Sequence, residues 1–127
     1  MNELLTPQNI EYKERAHAIA EGIVRKVSAQ HDRDQTYPWE VLEELKQAKL
    51  TGVWIPKEYG GEGGGVLDLC LVIEELSRAC GGVGVAYAVN ALGSFPIILS
   101  GTEEQKKRFL PDIAAGKRLI AFGLSEK

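Results

Sequence analysis

The last quarter of the chain begins Gly101-Thr-Glu-Glu-Gln-Lys-Lys-Arg-Phe-Leu-Pro111 and closes Ala121-Phe-Gly-Leu-Ser-Glu-Lys127. The first of these segments carries the signals that start a helix. Thr102 can cap the helix, because its hydroxyl can accept a hydrogen bond from a free backbone amide of the first turn. The two glutamates that follow favour the positive end of the helix dipole, and Gln105 can complete a capping box. We therefore predict a helix that begins directly after Thr102.

The second segment predicts a strand. Pro111 and Gly116 should delimit a second short helix between the two segments. The apolar run of residues 119–124 then has the composition of a strand that enters a sheet. One strand cannot form a ladder by itself, because its backbone hydrogen bonds need a neighbouring strand. We therefore expect the chain to be about the first third of a larger protein that continues into β structure.

Helical periodicity covers the first half of the chain. Thr6 and Pro7 form a cap followed by a proline at the first helical position, and the apolar spacing that follows should fade near residues 30–32. Residues 31–35 should form a charged linker. A second helix should begin at Pro38 and end at Gly52. It carries the apolar residues Trp39, Leu42, Leu45 and Leu50.

Two further helices are more apolar. Residues 67–80 are apolar on most sides, so this helix should be mostly buried. Gly81-Gly82 separates it from residues 83–99, the most apolar segment, in which Pro96 should cause a kink or an early turn. Four or five main helices with one terminal strand predict an all-α domain, whose chain leads from that strand into a β domain.

The composition is that of an ordinary globular protein, with 44% apolar and 26% charged residues among 127. A net charge of −3 argues against nucleic acid or an anionic membrane as a partner. The first residues resemble no signal or transit sequence, and the apolar runs are too short or too interrupted to insert into a membrane. Cys70 and Cys80 form no CxxC motif, so we expect reduced thiols in or near the core. A cytoplasmic location is the resulting expectation.

Few residues have the pattern of a catalytic or metal site. His17 lies off the apolar stripe and His31 lies in the charged linker, so both should be on the surface. No Ser-His-Asp order, HExxH motif or metal-ligand cluster occurs in the sequence. Glu74 and Glu75 point about 100° apart on a helix, so a solvated pair at the helix end, which Arg78 can join from three or four positions later, is favoured over an acid–base pair. We predict no metal site.

The densest glycine run, residues 60–65, allows two interpretations. A loop that binds phosphate is one, but the run lacks the lysine of a P-loop, the GxGxxG spacing and a long preceding strand. We favour the other, a tight linker in which glycines adopt positive φ.

Three segments in this order and spacing resemble the acyl-CoA dehydrogenase family. They are Pro56-Lys-Glu-Tyr-Gly-Gly-Glu-Gly63, Glu74-Glu-Leu-Ser-Arg78 and the last quarter of the chain, where a Gly-x-x-x-Gln-Lys helix leads through Leu-Pro and Ala-x-Gly to Phe-x-Leu-Ser-Glu. The resemblance covers residues 10–127. It implies that residues 1–127 are the N-terminal α-domain, that a middle β domain and a C-terminal helical domain follow in the family, and that the catalytic base lies in the latter.

The resemblance gives one apolar helix face a role. Val85, Ala88, Val89 and Leu92 recur at helical spacing, which by itself is equally compatible with plain core packing. In the family this helix forms a wall of the fatty-acyl cavity, which implies that these four residues contact the acyl chain of an acyl-CoA substrate. Ala88 is small at a place where a larger side chain would shorten the cavity.

The resemblance also implies a flavin site at the end of the chain. Taken alone, Ser125 is a hydroxyl at a strand end. In the family, main-chain groups around Phe122 and Leu124 approach the isoalloxazine ring of FAD, and the Ser125 hydroxyl bonds to its pyrimidine side. Ser125 stands where the family usually has threonine, and Lys127 where proline is common. Most other FAD contacts lie outside this segment, so we do not expect residues 1–127 alone to retain FAD.

The implied reaction is α,β-dehydrogenation of an acyl-CoA thioester by a homo-oligomeric enzyme that passes electrons to an electron-transfer flavoprotein. Flavin-dependent hydroxylases and nitroalkane oxidases share the same fold and are alternatives. A helical interaction module without enzymatic activity is an alternative of another class.

Overall fold

The computed structural model describes residues 4–125, and within that range it contains helices and irregular segments but no strand. The helices are α1 (Pro7–Ile19), α2 (Arg25–Asp34), α3 (Trp39–Gln47), α4 (Val66–Ala79), α5 (Gly81–Ser100) and α6 (Glu103–Ala114). A π-helical segment, Ala20–Val24, joins α1 to α2, and a 3-10 turn covers Lys57–Tyr59. The all-α prediction is therefore confirmed for the described residues.

The first helix begins where the sequence predicts. Thr6 Oγ1 accepts a hydrogen bond from Asn9 N at 3.2 Å, and Asn9 Oδ1 accepts one from Thr6 N at 2.9 Å. This pair is a capping box, with Pro7 at the start of the helix. The helical path does not end near residue 30. It continues through the π-helical segment and α2 to Gln35, whose φ of 51° is left-handed. The charged linker predicted for residues 31–35 is therefore mostly helix.

The second predicted helix is shorter than expected. It ends at Gln47, so Leu50 lies beyond it in a buried connection. Trp39 lies at its first turn, is 59% exposed and contacts the ring of Tyr37, with centroids 4.6 Å apart. Trp39, one of the apolar residues on which the helix prediction was based, therefore lies outside the core.

Helix α4 packs against both α1 and α5. Its buried positions are Asp68, Leu69, Leu71, Val72, Glu75 and Leu76. Its outer side exposes Val66, Leu67 and Cys70, so the prediction of a mostly buried helix is wrong. The helix has one buried face, which packs on α1, α5 and the π-helical segment. Both cysteines are free; Cys80 is half-buried, but Cys70 is exposed, so the expectation of thiols in or near the core is wrong for Cys70.

Residues 50–55 form a buried connection that holds one face of α5. The indole Nε1 of Trp54 donates to Ser94 Oγ at 2.7 Å, and the Tyr87 hydroxyl donates to the carbonyl of Leu50 at 2.7 Å. The Trp54 and Tyr87 rings meet edge to face, with centroids 5.7 Å apart. Burial raises the pKa of Tyr87, so its hydroxyl remains a neutral donor.

The glycine run adopts the tight linker that we favoured. Gly60 has a φ of 84° and Gly63 a φ of 70°. A side chain at Gly61 would overlap the carbonyl of Ile55. The amides of Gly63 and Gly64 already donate to the carbonyls of Ile55 and Val53, at 2.9 and 2.7 Å. Since these amides serve the chain's own carbonyls, they are not free to bind a phosphate.

Helix α5 is longer than predicted at its start. Gly81 and Gly82, expected to separate two helices, form its first turn, and the helix continues through Pro96 to Ser100. Pro96 therefore does not end it. By length and composition α5 could cross a membrane, which corrects the expectation that the apolar runs are too short or interrupted. Here Tyr87 and Ser94 bind one face of it to the buried connection.

Helix α6 is one continuous helix. Thr102 caps it through Gln105 N at 3.2 Å, as predicted. Pro111 lies inside it, so the prediction of a separate short helix is wrong, and Gly116 follows its end with a φ of 64°. Residues 119–125 are irregular. The predicted strand is therefore not formed within residues 4–125, where no neighbouring strand is available to pair with it.

Candidate functional site

The four residues assigned to the acyl wall lie together in one open groove of roughly 380 Å³ on α5. The groove is lined by Leu69, Val85, Ala88, Val89, Ala91, Leu92 and Phe95. Every one of these side chains is apolar. The groove can therefore bind an alkyl chain and exclude water from it, but its lining offers no acid, base or metal ligand.

The outer rim of this groove is not covered by the described chain. Val85 is 63% and Leu92 49% exposed, Ala88 and Val89 are half-buried, and Leu69 and Ala91 are the buried residues of the lining. Plain core packing, the alternative that the spacing left open, would bury all four. Within residues 4–125 no other segment covers these side chains, so this face of α5 is available to a ligand or to another part of a larger protein.

The three residues assigned to the flavin lie in the irregular segment after α6. Phe122, Leu124 and Ser125 are all exposed, Leu124 at 78%. No main-chain group of residues 121–125 forms a hydrogen bond to any other residue between 4 and 125. The segment therefore presents unpaired amides and carbonyls together with one hydroxyl. Such a set fits the polar edge of a flavin ring, which carries both donors and acceptors.

Helix α5 holds the start of this segment. The backbone amide of Ile120 donates to Asn90 Oδ1 at 3.1 Å. At Gly93 the segment lies so close that a Cβ atom would be 2.9 Å from the carbonyl oxygen of Ala121. This contact was not predicted from the sequence. The signal that could have found it is the one carboxamide, Asn90, in a mostly apolar helix.

Glu75 is not the solvated residue that the sequence predicted. It is 3% exposed, and its carboxylate lies 2.9 Å from His17 Nδ1, 2.7 Å from an Arg78 nitrogen and 3.9 Å from Lys13 Nζ. Glu74 is exposed, as expected. The cluster joins α1 to α4, because three cationic or hydrogen-bonding groups compensate one buried carboxylate. Its role is structural, and none of its members lines the groove.

The two histidines both have partners. His17 is half-exposed and contacts Glu75, so the surface prediction holds for its position but misses its contact. His31 is 19% exposed, which corrects its assignment to the surface. Its Nδ1 lies 2.7 Å from Thr36 Oγ1, and its Nε2 lies 2.8 Å from Glu40 Oε1. The hydrogen bond between His31 and Glu40 lowers the pKa of Glu40. Among the described residues no group of three His, Cys, Asp or Glu could hold a metal ion.

Comparisons with known proteins agree on one family. The acyl-CoA dehydrogenase N-terminal domain matches residues 6–117. The short-chain-specific acyl-CoA dehydrogenase of Clostridium acetobutylicum is 35% identical over 123 residues, which are 96% of this chain and 32% of the relative. The chain thus spans about a third of the length of such relatives.

Two solved structures share the fold. A chain in the structure of the electron transferring flavoprotein of Acidaminococcus fermentans has a TM-score of 0.85 and 32% identity, over 94% of this chain and 32% of that one. An acyl-CoA dehydrogenase complexed with FAD from Bacillus anthracis has a TM-score of 0.82 and 31% identity, over 98% of this chain and 21% of that one. With the domain match over most of its length, this chain belongs to the acyl-CoA dehydrogenase family.

Proposed function

We propose that residues 1–127 are the N-terminal α-domain of an FAD-dependent acyl-CoA dehydrogenase. In the intact enzyme, in which further domains would follow this chain, an acyl-CoA thioester loses a proton from Cα and a hydride from Cβ, and a double bond forms between the two carbons. The observation that carries the proposal is the open, wholly apolar groove on α5, which lies on the same helix that holds residues 120–121.

The groove would bind the acyl chain of the substrate. Each methylene that it takes out of water contributes about 0.8 kcal/mol. Ala88 and Val89 would line the groove between the exposed rim residues Val85 and Leu92 and the buried residues Leu69 and Ala91. The small methyl group of Ala88 leaves the groove deep at this position, so a larger side chain there would exclude the far end of a long acyl chain.

The terminal segment would hold one edge of the flavin. FAD, when bound, supplies the acceptor for the hydride from Cβ. The Ser125 hydroxyl and the main-chain groups around Phe122 and Leu124 would supply donors and acceptors to the flavin, and donors of this kind stabilise negative charge that develops in the transition state. The structure of a Bacillus anthracis relative in complex with FAD supports FAD as the cofactor. Since the segment offers one edge only, the 127-residue chain purified by itself should be colourless.

The catalytic base, the electron acceptor and the assembly of the intact enzyme lie beyond the groove. The groove lining has no carboxylate, so the base that takes the Cα proton would come from another domain. An electron-transfer flavoprotein as acceptor is supported by the likeness to a chain in the Acidaminococcus structure. We also propose a homo-oligomer, and a cytoplasmic setting in which Cys70 and Cys80 remain free thiols.

Replacing Ser125 by alanine tests the flavin assignment. In the intact enzyme, Ser125→Ala removes one donor and should slow flavin reduction by substrate roughly tenfold, which is less than the roughly hundredfold or larger effect of losing one positioned donor, because main-chain donors remain. The flavin potential and FAD retention should fall, while the preference for acyl length stays the same. Ser100→Ala, at an exposed serine at the end of α5, is the control and should change none of these.

A changed preference for acyl length with unchanged flavin potential would show that Ser125 is assigned to the wrong ligand. An intact protein that binds no flavin would favour the helical interaction module instead. A flavoprotein that oxidises another substrate class with oxygen would favour the hydroxylase or nitroalkane oxidase.

A further inference from the structure

Asn90 is satisfied at both ends of its carboxamide. Its Nδ2 donates to the carbonyl of Ala86, one turn earlier in α5, at 2.9 Å. Its Oδ1 accepts from the amide of Ile120 at 3.1 Å. Among residues 4–125, this is the hydrogen bond that connects residues 119–125 to the rest of the chain. The side chain is half-buried, so water competes less for the bond than it would on an open surface.

Gly93 provides a second contact on the same side of α5. It follows Asn90 by three positions, and residues three apart on a helix lie on one face. A Cβ atom at Gly93 would lie 2.9 Å from the Ala121 carbonyl oxygen and 3.0 Å from Ile120 Cγ1. The segment therefore lies on bare helix backbone. Together, the hydrogen bond fixes where Ile120 sits along α5, and the missing side chain fixes how closely Ala121 approaches.

The groove lies on the adjoining face of the same helix. Val89 and Leu92 line the groove, and each directly precedes one of the two contact residues in sequence. Successive residues point about 100° apart, so the two faces adjoin along the length of the helix. Phe122 follows Ala121 directly. Helix α5 thus carries most of the groove lining and also sets the position at which residues 122–125 begin.

We propose that Asn90 is a positioning residue that holds residues 122–125 at a fixed place beside the α5 groove, with Gly93 as its packing counterpart. The inference rests on the proposed function, because it matters for catalysis only if the groove binds an acyl chain and the segment contacts a flavin. Hydride transfer needs its two reacting atoms at about 3–3.5 Å, and a misplacement of about 1 Å can cost on the order of a hundredfold in rate. Asn90 fixes that placement through the main chain and contacts neither ligand.

The first test uses the 127-residue chain itself. Asn90→Leu keeps a side chain of similar size and removes the acceptor, whereas Asn90→Asp keeps an acceptor oxygen for Ile120 and loses the Nδ2 donor to the Ala86 carbonyl. We expect the Ile120 amide to exchange with solvent roughly tenfold faster in Asn90→Leu, and close to the native rate in Asn90→Asp. Gly93→Ala should also speed this exchange, by pushing the segment away. Ala18→Leu, at an exposed position of α1, is the control for a substitution that leaves the segment alone.

The second test uses the intact enzyme. Asn90→Leu should lower kcat about tenfold and alter the visible spectrum and potential of the flavin, while the KM for acyl-CoA stays unchanged. Asn90→Asp should restore the native kcat, spectrum and potential. Gly93→Ala gives an independent result if Asn90→Leu fails to fold. Unchanged Ile120 exchange in both Asn90→Leu and Gly93→Ala would overturn the anchor.

Faster exchange with unchanged kcat, spectrum and potential would overturn the positioning role and leave the proposed function standing. An intact native protein that binds no flavin would refute both.

Discussion

Substituting leucine for Ala88 tests the acyl groove most sharply. The side chain of Ala88 is half-buried and lines the groove between the exposed rim residues Val85 and Leu92. Leucine adds three carbon atoms, which would occupy the space of about three methylenes of a bound acyl chain. At about 0.8 kcal/mol for each methylene, the longest acyl chains lose about 2.4 kcal/mol of binding. Since about 1.4 kcal/mol is a factor of ten, kcat/KM for those substrates should fall roughly fiftyfold.

The assay is a series of acyl-CoA substrates of increasing chain length, with kcat/KM measured for the intact enzyme and its Ala88→Leu variant. Short substrates that do not reach the added carbons should be affected less than about twofold, so the preference shifts toward shorter chains. The flavin potential should not change. Ala18→Leu, the same substitution at an exposed position of α1, should leave the whole series unchanged.

A uniform loss across all chain lengths would refute the reasoning. It would mean that Ala88 affects folding or the reacting centre and does not limit the depth of the groove.

Three further predictions concern the 127-residue chain. Ser94→Ala leaves the buried Trp54 indole N–H without a partner and should lower the free energy of unfolding by about 1–3 kcal/mol in denaturant titration, and an unchanged midpoint would refute this role. The hydrogen bond to Glu103 raises the pKa of Tyr59 from 10.0 to about 12, and the same bond lowers the pKa of Glu103 from 4.5. Stability should therefore fall as pH rises from 10 toward 12, and also as pH falls below 4.5, and Tyr59→Phe should lessen both losses in thermal melts. The exposed apolar surface of α5 and residues 119–124 should cause self-association, and a monomer in sedimentation at high concentration, without binding of an apolar dye, would contradict this.

Local signals in the sequence predicted local structure well. The caps at Thr6 and Thr102 form because their partners lie three residues away, within the same turn of helix. The groove residues share a face because helical spacing alone fixes the angle between them. The turn at Gly60 and Gly63 follows from backbone conformations that other residues rarely adopt.

Long-range contacts were not predictable in the same way. Glu75 pairs with His17 across 58 positions, and Ile120 pairs with Asn90 across 30. Spacing on one helix carries no information about which other helix will face it. The burial of Glu75 was missed for this reason, and so was the anchor of the terminal segment.

The predictions made for the prolines and for the terminal strand were wrong for different physical reasons. Pro96 and Pro111 lie at exposed positions, where the carbonyl that each leaves unpaired can be hydrated, so the helices continue through them. Residues 119–124 have the composition of a strand, but a strand exists only as part of a ladder. Composition could therefore predict that residues 119–124 tend to form a strand. They are irregular because residues 4–125 contain no neighbouring strand with which they could pair.

The central claim is that this chain serves a flavoenzyme that dehydrogenates acyl-CoA. The most direct measurement is the absorbance of the flavin-loaded intact enzyme while acyl-CoA is added without oxygen, with the product analysed alongside. We predict loss of the oxidised-flavin absorbance in proportion to acyl-CoA, with one α,β-unsaturated thioester formed for each flavin reduced. A flavin spectrum that stays oxidised with acyl-CoA of every chain length, or reduction without the unsaturated product, would contradict the account.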